Sequence, residues 1–231
     1  MKEHFSTQLE FLRQQLILMG AEVESQIRLA VEALVNGDTD KARAVIERDP
    51  VVDHMELKNE EAAVHLLALQ QPVAVDLRFL VAALKINNDL ERIGDHAVNI
   101  AEGAIRLAAT KAGRPRIDLP HMAEIARTML KRALDSFVRK DTALALEVCK
   151  EDDVLDQKNR SIIRELLTHM AEHPGLITAS IEIMSASRNL ERVGDLATNI
   201  GEETIFIAEG RTIKHHVADG QSSAPGRELV S

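Results

Sequence analysis

The sequence has no tryptophan and no tyrosine, and five phenylalanines are its whole aromatic content, 2% of 231 residues. Sheets lean on aromatic and β-branched side chains, whereas Ala, Leu, Glu, Lys and Arg favour helices, so this composition excludes a sheet protein and predicts an all-α one. Positive charge is also short: 28 Lys plus Arg stand against 37 Asp plus Glu, a formal charge of −9. A nucleic-acid binder needs a positive face for phosphates, and a single-strand binder adds stacking aromatics, so nucleic acid is excluded as a partner. The one cysteine, Cys149, cannot form an intrachain disulfide, which suits a reducing compartment. No run approaches the roughly 18 uncharged apolar residues of a membrane span, so no direct membrane insertion is expected. The start MKEHFSTQLEF carries Glu3 and no apolar core, unlike a secretory signal, and the expected location is the cytoplasm.

What is present is helical periodicity. Leu9, Leu12, Leu16, Met19, Val23, Ile27, Ala30 and Leu34 step by three and four, the stripe of a bundle helix. Asn36-Gly37 ends it, and Asp38 or Thr39 is placed to cap a second helix that runs to about Gln71. A third follows Pro72, with Leu90, Ile93, Ala97, Ile100, Ala104 and Leu107 as its stripe. TKAGRPRIDLP, residues 110–120, breaks the pattern and reads as a linker. Three further helices are predicted, at about His121 to Arg139, Asp141 to Glu172 and Gly175 to Glu209. Residues 211–231, rich in Gly, Ser and Pro near their end, read as a disordered tail.

The chain is a tandem repeat. NDLERIGDHAVNIAE, residues 88–102, recurs as RNLERVGDLATNIGE, residues 188–202, and upstream Asp38-Thr39, Asp49 and Asp53 match Asp141-Thr142, Asp152 and Asp156. The predicted architecture is two three-helix bundles, six helices in total, over residues 1–109 and 121–210.

The repeated segment carries carboxylates. At about 100° per residue, Glu91, Asp95, Asn99 and Glu102 fall within roughly 80° of one another, away from the core stripe, and Glu191, Asp195, Asn199 and Glu202 repeat the arrangement. Like charges at i and i+4 destabilise a helix by about 0.2 to 0.5 kcal/mol per pair. Either neighbouring Arg and Lys neutralise the stripe, or a cation sits on it. A second acidic set lies on the preceding helix of each unit, Asp49, Asp53, Glu56 and Glu60 in one and Asp152, Asp153 and Asp156 in the other, although Glu60 matches Ile163 and so falls outside a shared site. Such an all-oxygen site suits Mg²⁺, Ca²⁺, Mn²⁺ or iron more than structural zinc. Asp49 has a competing role, because Pro50 at a first helical position would make Asp49 the N-cap of a restarted helix.

ERIGD at Glu91 to Asp95 and ERVGD at Glu191 to Asp195, with LILMG at Leu16 to Gly20, QQPVAVDLR at Gln70 to Arg78 and EGR at Glu209 to Arg211, closely resemble the PhoU family of phosphate-signalling regulators. The resemblance covers nearly the whole chain. It implies a paired three-helix-bundle fold, a homodimer, and a cytoplasmic negative regulator of phosphate uptake and phosphate-starvation signalling. The implied partners are the ATPase of the phosphate-specific ABC transporter and the phosphate-sensing histidine kinase. The family's ExxxD motifs bind metal in some members, which maps here to Glu91 with Asp95 and Glu191 with Asp195. The implied cofactor is a divalent or iron-type ion, with iron, zinc, manganese and magnesium all compatible.

Arg92, Arg192 and Arg78 have two readings each. Arg92 and Arg192 either form salt bridges along the helices or recognise an anion or partner, since a guanidinium binds phosphate bidentately. Asp76-Leu77-Arg78 either helps to start the third helix or faces a partner. His96 and His54 match Leu196 and Gln157, so neither belongs to both repeats, and His215-His216 sits at the edge of the tail. Two other functions compete with the adaptor: a metal-independent interaction module, and a di-metal carboxylate enzyme. The enzyme reading lacks the Glu-x-x-His pairs of ferritin-like sites, a Gly-rich phosphate loop and a nucleophile with its base, so no catalytic residues are assigned.

Overall fold

A computed structural model describes residues 2–110 and 113–213. Its helices are α1 (Lys2–Asn36), α2 (Thr39–Gln70), α3 (Ala74–Ala109), α4 (Leu119–Arg139), α5 (Thr142–Glu172) and α6 (Ile177–Glu209), with a 3₁₀ turn at Pro174–Leu176 before α6. The described residues include no strand, as the aromatic-poor composition requires.

The helix boundaries follow local chemistry. Gly37 takes φ +70° after α1, and the Asp38 side chain accepts a hydrogen bond from the Lys41 amide at 2.9 Å. The second repeat builds the same corner with Asp141 accepting from the Leu144 amide at 3.0 Å, but the residue matching Gly37 is Lys140, held at φ 53°. Pro120, read as the end of the linker, lies instead in the first turn of α4, where its missing N–H costs no hydrogen bond. His215 and His216 lie outside the described residues.

Asp49 is not an N-cap. Pro50 lies inside an unbroken α2, because Val45 on one side of it and Val52 on the other are both anchored in the core. Packing of these two flanks outweighs the one hydrogen bond that proline removes. Asp49 is thereby left on a helix face, free to join its acidic neighbours.

The α1 stripe from Leu12 to Leu34 is buried, and so is every member of the α3 stripe from Leu90 to Leu107. The two repeats share one continuous hydrophobic core, with α3 and α6 packed together at its centre. These two helices run antiparallel. His96 meets Asn189 at 3.0 Å, Lys85 meets Glu203 at 2.8 Å, Arg106 meets Glu182 at 3.1 Å, and Arg78 meets the Ile207 carbonyl at 3.4 Å. Asn189 is the repeat equivalent of residue 89, and the midpoint of 89 and 96 falls beside Arg92. Arg92 and Arg192 therefore flank the pseudo-two-fold axis that relates the halves.

Candidate metal centres and the cleft between the repeats

Each repeat brings its two acidic sets together across a helix pair. In the first, Asp49, Asp53 and Glu56 of α2 face Glu91 and Asp95 of α3. Burial pushes the Glu91 carboxyl above its ordinary range, and Asp95, Asp53, Glu56 and Asp49 push it further. Asp49 is raised by burial, Asp53 and Asp95, and Glu56 by burial, Glu60 and Asp53. In the second, burial raises Asp152 to about 6, assisted by Asp195, Asp156, Asp153 and Glu191. Asp195 is raised by burial, Glu191 and Asp156, with Arg192 pulling the other way.

The motif glycines set how closely these helices approach. A Cβ on Gly194 would stand 2.3 Å from Leu155 Cδ2 and 3.3 Å from Asp152 Oδ1, and one on Gly94 would stand 3.3 Å from Val52 Cγ1. The glycine between the paired motif carboxylates thus lets α5 press its Asp152 against α6, and α2 its Val52 against α3. Sequence reasoning singled out the carboxylates and missed this role, although the same glycine in both copies was the available signal.

The donors fit an oxygen-preferring cation. Asp152 Oδ1 is buried with no hydrogen-bond partner, and the like charges around it add to the upward shift of its carboxyl. Among the described residues, however, no three His, Cys, Asp or Glu side chains stand ready-made as a metal-binding group. A cation would have to draw the carboxylates inward by rotamer changes.

Asn99 and Asn199, placed by their spacing on the acidic stripes, line a cleft of about 350 Å³ between the repeats. Arg92 and Arg192 line the same cleft, as do Asp95, Asp195, His96 and Leu196. Asp95 and Asp195 thus belong both to their acidic clusters and to this shared space. Arg92 lies 3.7 Å from Asp89 and its charge is otherwise exposed to solvent. His96 is buried, and burial lowers its pKa; Asn189 opposes that, while Arg192 and Arg92 add to it.

Arg78 does not reach this cleft. Its guanidinium donates to the Ile207 carbonyl near the end of α6 and packs against Gly210, so it ties the start of α3 to the negative end of α6. A neighbouring cleft of about 490 Å³ is lined by Lys85, Asp89, Arg92 and Glu203. Glu203 is buried, with Oε1 on Lys85 and Oε2 lacking a hydrogen-bond partner. Sequence reasoning missed this pair because the repeat equivalents of Lys85 and Glu203 are Ser185 and Gly103, so the repeat drew no attention to them.

No helix of the described residues is long and apolar enough to cross a membrane. Comparison with known proteins finds the PhoU domain twice, over residues 16–104 and 119–204. The phosphate-specific transport system accessory protein PhoU homolog of Pseudomonas putida is 39% identical over 214 residues, covering 92% of this chain and 84% of that protein. Its namesake from Clostridium acetobutylicum is 37% identical over 90% of this chain and 96% of that protein. The crystal structure of PhoU from Pseudomonas aeruginosa superposes with a TM-score of 0.86 at 39% identity, covering 90% of this chain and all of that one. The phosphate transport system regulatory protein PhoU from Streptococcus pneumoniae superposes with a TM-score of 0.85 at 25% identity, covering 91% of this chain and 99% of that one.

Proposed function

From the premise that the chain belongs to the PhoU family, we propose that it restrains phosphate-specific ABC transport and phosphate-starvation signalling when phosphate is plentiful. It is an accessory regulatory protein of phosphate transport rather than an enzyme. It acts by contact: two similar bundles present a surface to the transporter ATPase and to the phosphate-sensing histidine kinase, on the cytoplasmic side where ATP is hydrolysed, and the working form is a homodimer. The observation that carries this reading is the doubled PhoU domain with equivalent acidic clusters in both copies.

In the first repeat Glu91, Asp95, Asp53 and Asp49 would hold a divalent or iron-type cation, and in the second Glu191, Asp195, Asp156 and Asp152. Such an ion supplies positive charge that neutralises the clusters and fixes the spacing of α2 against α3 and α5 against α6. The test is complex formation between the full chain and each of the two partners. Saturable binding to the ATPase or the kinase supports the reading, and loss of binding to both contradicts it.

A second reading, a metal-independent interaction module, is favoured by the lack of a ready-made three-ligand group among the described residues. Metal analysis of untagged protein separates the two. A stoichiometric cation removed by Glu91→Ala with Asp95→Ala excludes the second reading, and substoichiometric, interchangeable metal supports it.

A further inference from the structure

Positions of a tandem repeat that lie outside the core are free to diverge, because no packing holds them. Along α3 and α6 many have done so: Leu77 stands against Ile177, Lys85 against Ser185, Asn88 against Arg188 and Arg106 against Phe206. Five polar positions between 91 and 102 have not. Glu91, Arg92, Asp95, Asn99 and Glu102 recur as Glu191, Arg192, Asp195, Asn199 and Glu202, and none of the ten is buried. A cation on each acidic cluster accounts for the Glu and the Asp of the motif, but not for the other three. Nor do local pairs. Arg92 lies 3.7 Å from Asp89, whose match is Asn189, and Glu102 lies 3.4 Å from Arg106, whose match is Phe206. The surroundings have changed between the copies while these residues have stayed, so both copies meet the same chemistry from outside the chain.

The arrangement of the ten residues says what that chemistry belongs to. The antiparallel crossing of α3 and α6 puts Arg92 and Arg192 beside the pseudo-two-fold axis, and Asp95, Asn99 and their matches line the same open cleft. At about 1.5 Å per residue, Glu102 and Glu202 lie roughly 15 Å from the crossing in opposite directions. Side chains related by a two-fold rotation fit a surface related by the same rotation, which is what two identical subunits around their own axis present. A partner without that symmetry would meet the two copies with different groups. A second copy of this chain has the symmetry but the wrong charge, since the acidic clusters adjoin the face through Asp95 and Asp195 and would be set against one another.

We propose that the α3–α6 face docks across the two-fold axis of a homodimeric protein partner, one chain to one partner dimer, with each repeat taking one subunit through the same five residues. Each subunit offers an acceptor, a carboxylate or a carbonyl, to Arg92 or Arg192 near the axis, and Lys or Arg to the carboxylates on the flank. Two half-sites engaged at once hold more tightly than either alone. That the partner is the transporter ATPase or the kinase rests on the reading above, whereas the symmetry of the face does not. In a homodimer of the chain, the contact between copies leaves this face open, and each copy takes a partner dimer of its own.

The test mixes the full chain with each of the two partners in its dimeric form and measures the ratio of subunits by light scattering and native mass spectrometry. One chain per two partner subunits is expected. A photo-crosslinking residue placed at Asn99, and separately at Asn199, should join the same peptide of the partner. Arg92→Glu and Arg192→Glu should each weaken binding by about tenfold or more, by amounts that agree within about threefold, and the double variant should lose more than either. Arg188→Asn, at an outer position where the copies differ, should stay within about threefold of wild type. Circular dichroism matched to wild type guards against unfolded variants, and the exposed position of both arginines makes their replacement structurally mild. One chain per partner subunit, or crosslinks from 99 and 199 to different peptides, overturns the proposal and leaves the regulatory reading standing. So does binding that ignores both Arg reversals. Crosslinks from position 99 between copies of the chain alone overturn it by giving the face to self-association. Absence of a complex with either partner overturns the regulatory reading and this proposal with it.

Discussion

Asp195 on α6 raises the carboxyl of Asp152 on α5 across the helix pair, and burial, which leaves one Asp152 oxygen without a hydrogen-bond partner, does most to push it up to about 6. A carboxyl whose folded pKa exceeds its unfolded value contributes full stability below the unfolded value and loses it as pH rises through the folded one. The window here runs from the ordinary 3.8 to about 6. In chelator-treated protein, thermal stability should fall as pH rises across that window, by on the order of 1 to 2 kcal/mol once solvent screening of this partly exposed group is allowed for. Asp152→Asn should remove most of the dependence, and a saturating divalent cation should flatten it in wild type. Melting curves with and without chelator check all three.

Gly194 and Gly94 occupy the same place in the two motifs but not the same space. Alanine favours a helix over glycine by about 1 kcal/mol, which offsets the 3.3 Å contact that Gly94→Ala makes with Val52 and leaves that variant within about 1 kcal/mol of wild type. Gly194→Ala must displace Leu155, which is fully buried, and should lose about 1 to 3 kcal/mol. Denaturant unfolding of the two single variants gives the comparison.

The corners between α1 and α2 and between α4 and α5 make opposite predictions. Asp38→Ala and Asp141→Ala each remove a cap and should each cost about 1 kcal/mol. Lys140→Gly should stabilise the chain by up to about 1 kcal/mol, because a left-handed residue with a Cβ is relieved of strain. Unfolding midpoints of the three variants decide it.

Cys149 should be unreactive while the chain is folded. Burial raises its thiol to about 11, with Glu202 and Asp152 adding to the shift, so almost no thiolate exists at neutral pH. Alkylation of the native protein should be slower than alkylation in denaturant by about tenfold or more. Equal rates would show that the thiol is accessible in the folded state.

Much of this architecture is legible in the sequence because it is repetitive. The stripe from Leu12 to Leu34 and that from Leu90 to Leu107 are periodic and are buried. The acidic sets recur at offsets of 100 residues on α3 and α6 and 103 on α2 and α5, and they do meet across helix pairs. What stayed hidden depends on packing between the copies. Pro50 signals a helix start locally, yet Val45 and Val52 hold the helix together on both sides. Asn99 and Asn199 share a helical face with the carboxylates, but the crossing of α3 over α6 turns them into a common cleft. Periodicity on one helix says nothing of where another helix crosses it. Lys85 and Glu203 pair across that crossing and have no counterpart in the repeat to betray them.

The proposed regulatory role requires that this chain silence the phosphate-starvation response and that the motif carboxylates be needed for it. A starvation reporter, read in phosphate-rich medium, tests it in cells lacking the protein and in cells supplied with wild type or with a soluble, folded variant carrying alanine at Glu91, Asp95, Glu191 and Asp195. The reporter should be on without the protein, off with wild type and on with the variant. A reporter that stays off when the protein is absent contradicts the regulatory role, and a variant that silences as well as wild type contradicts the role of the carboxylates.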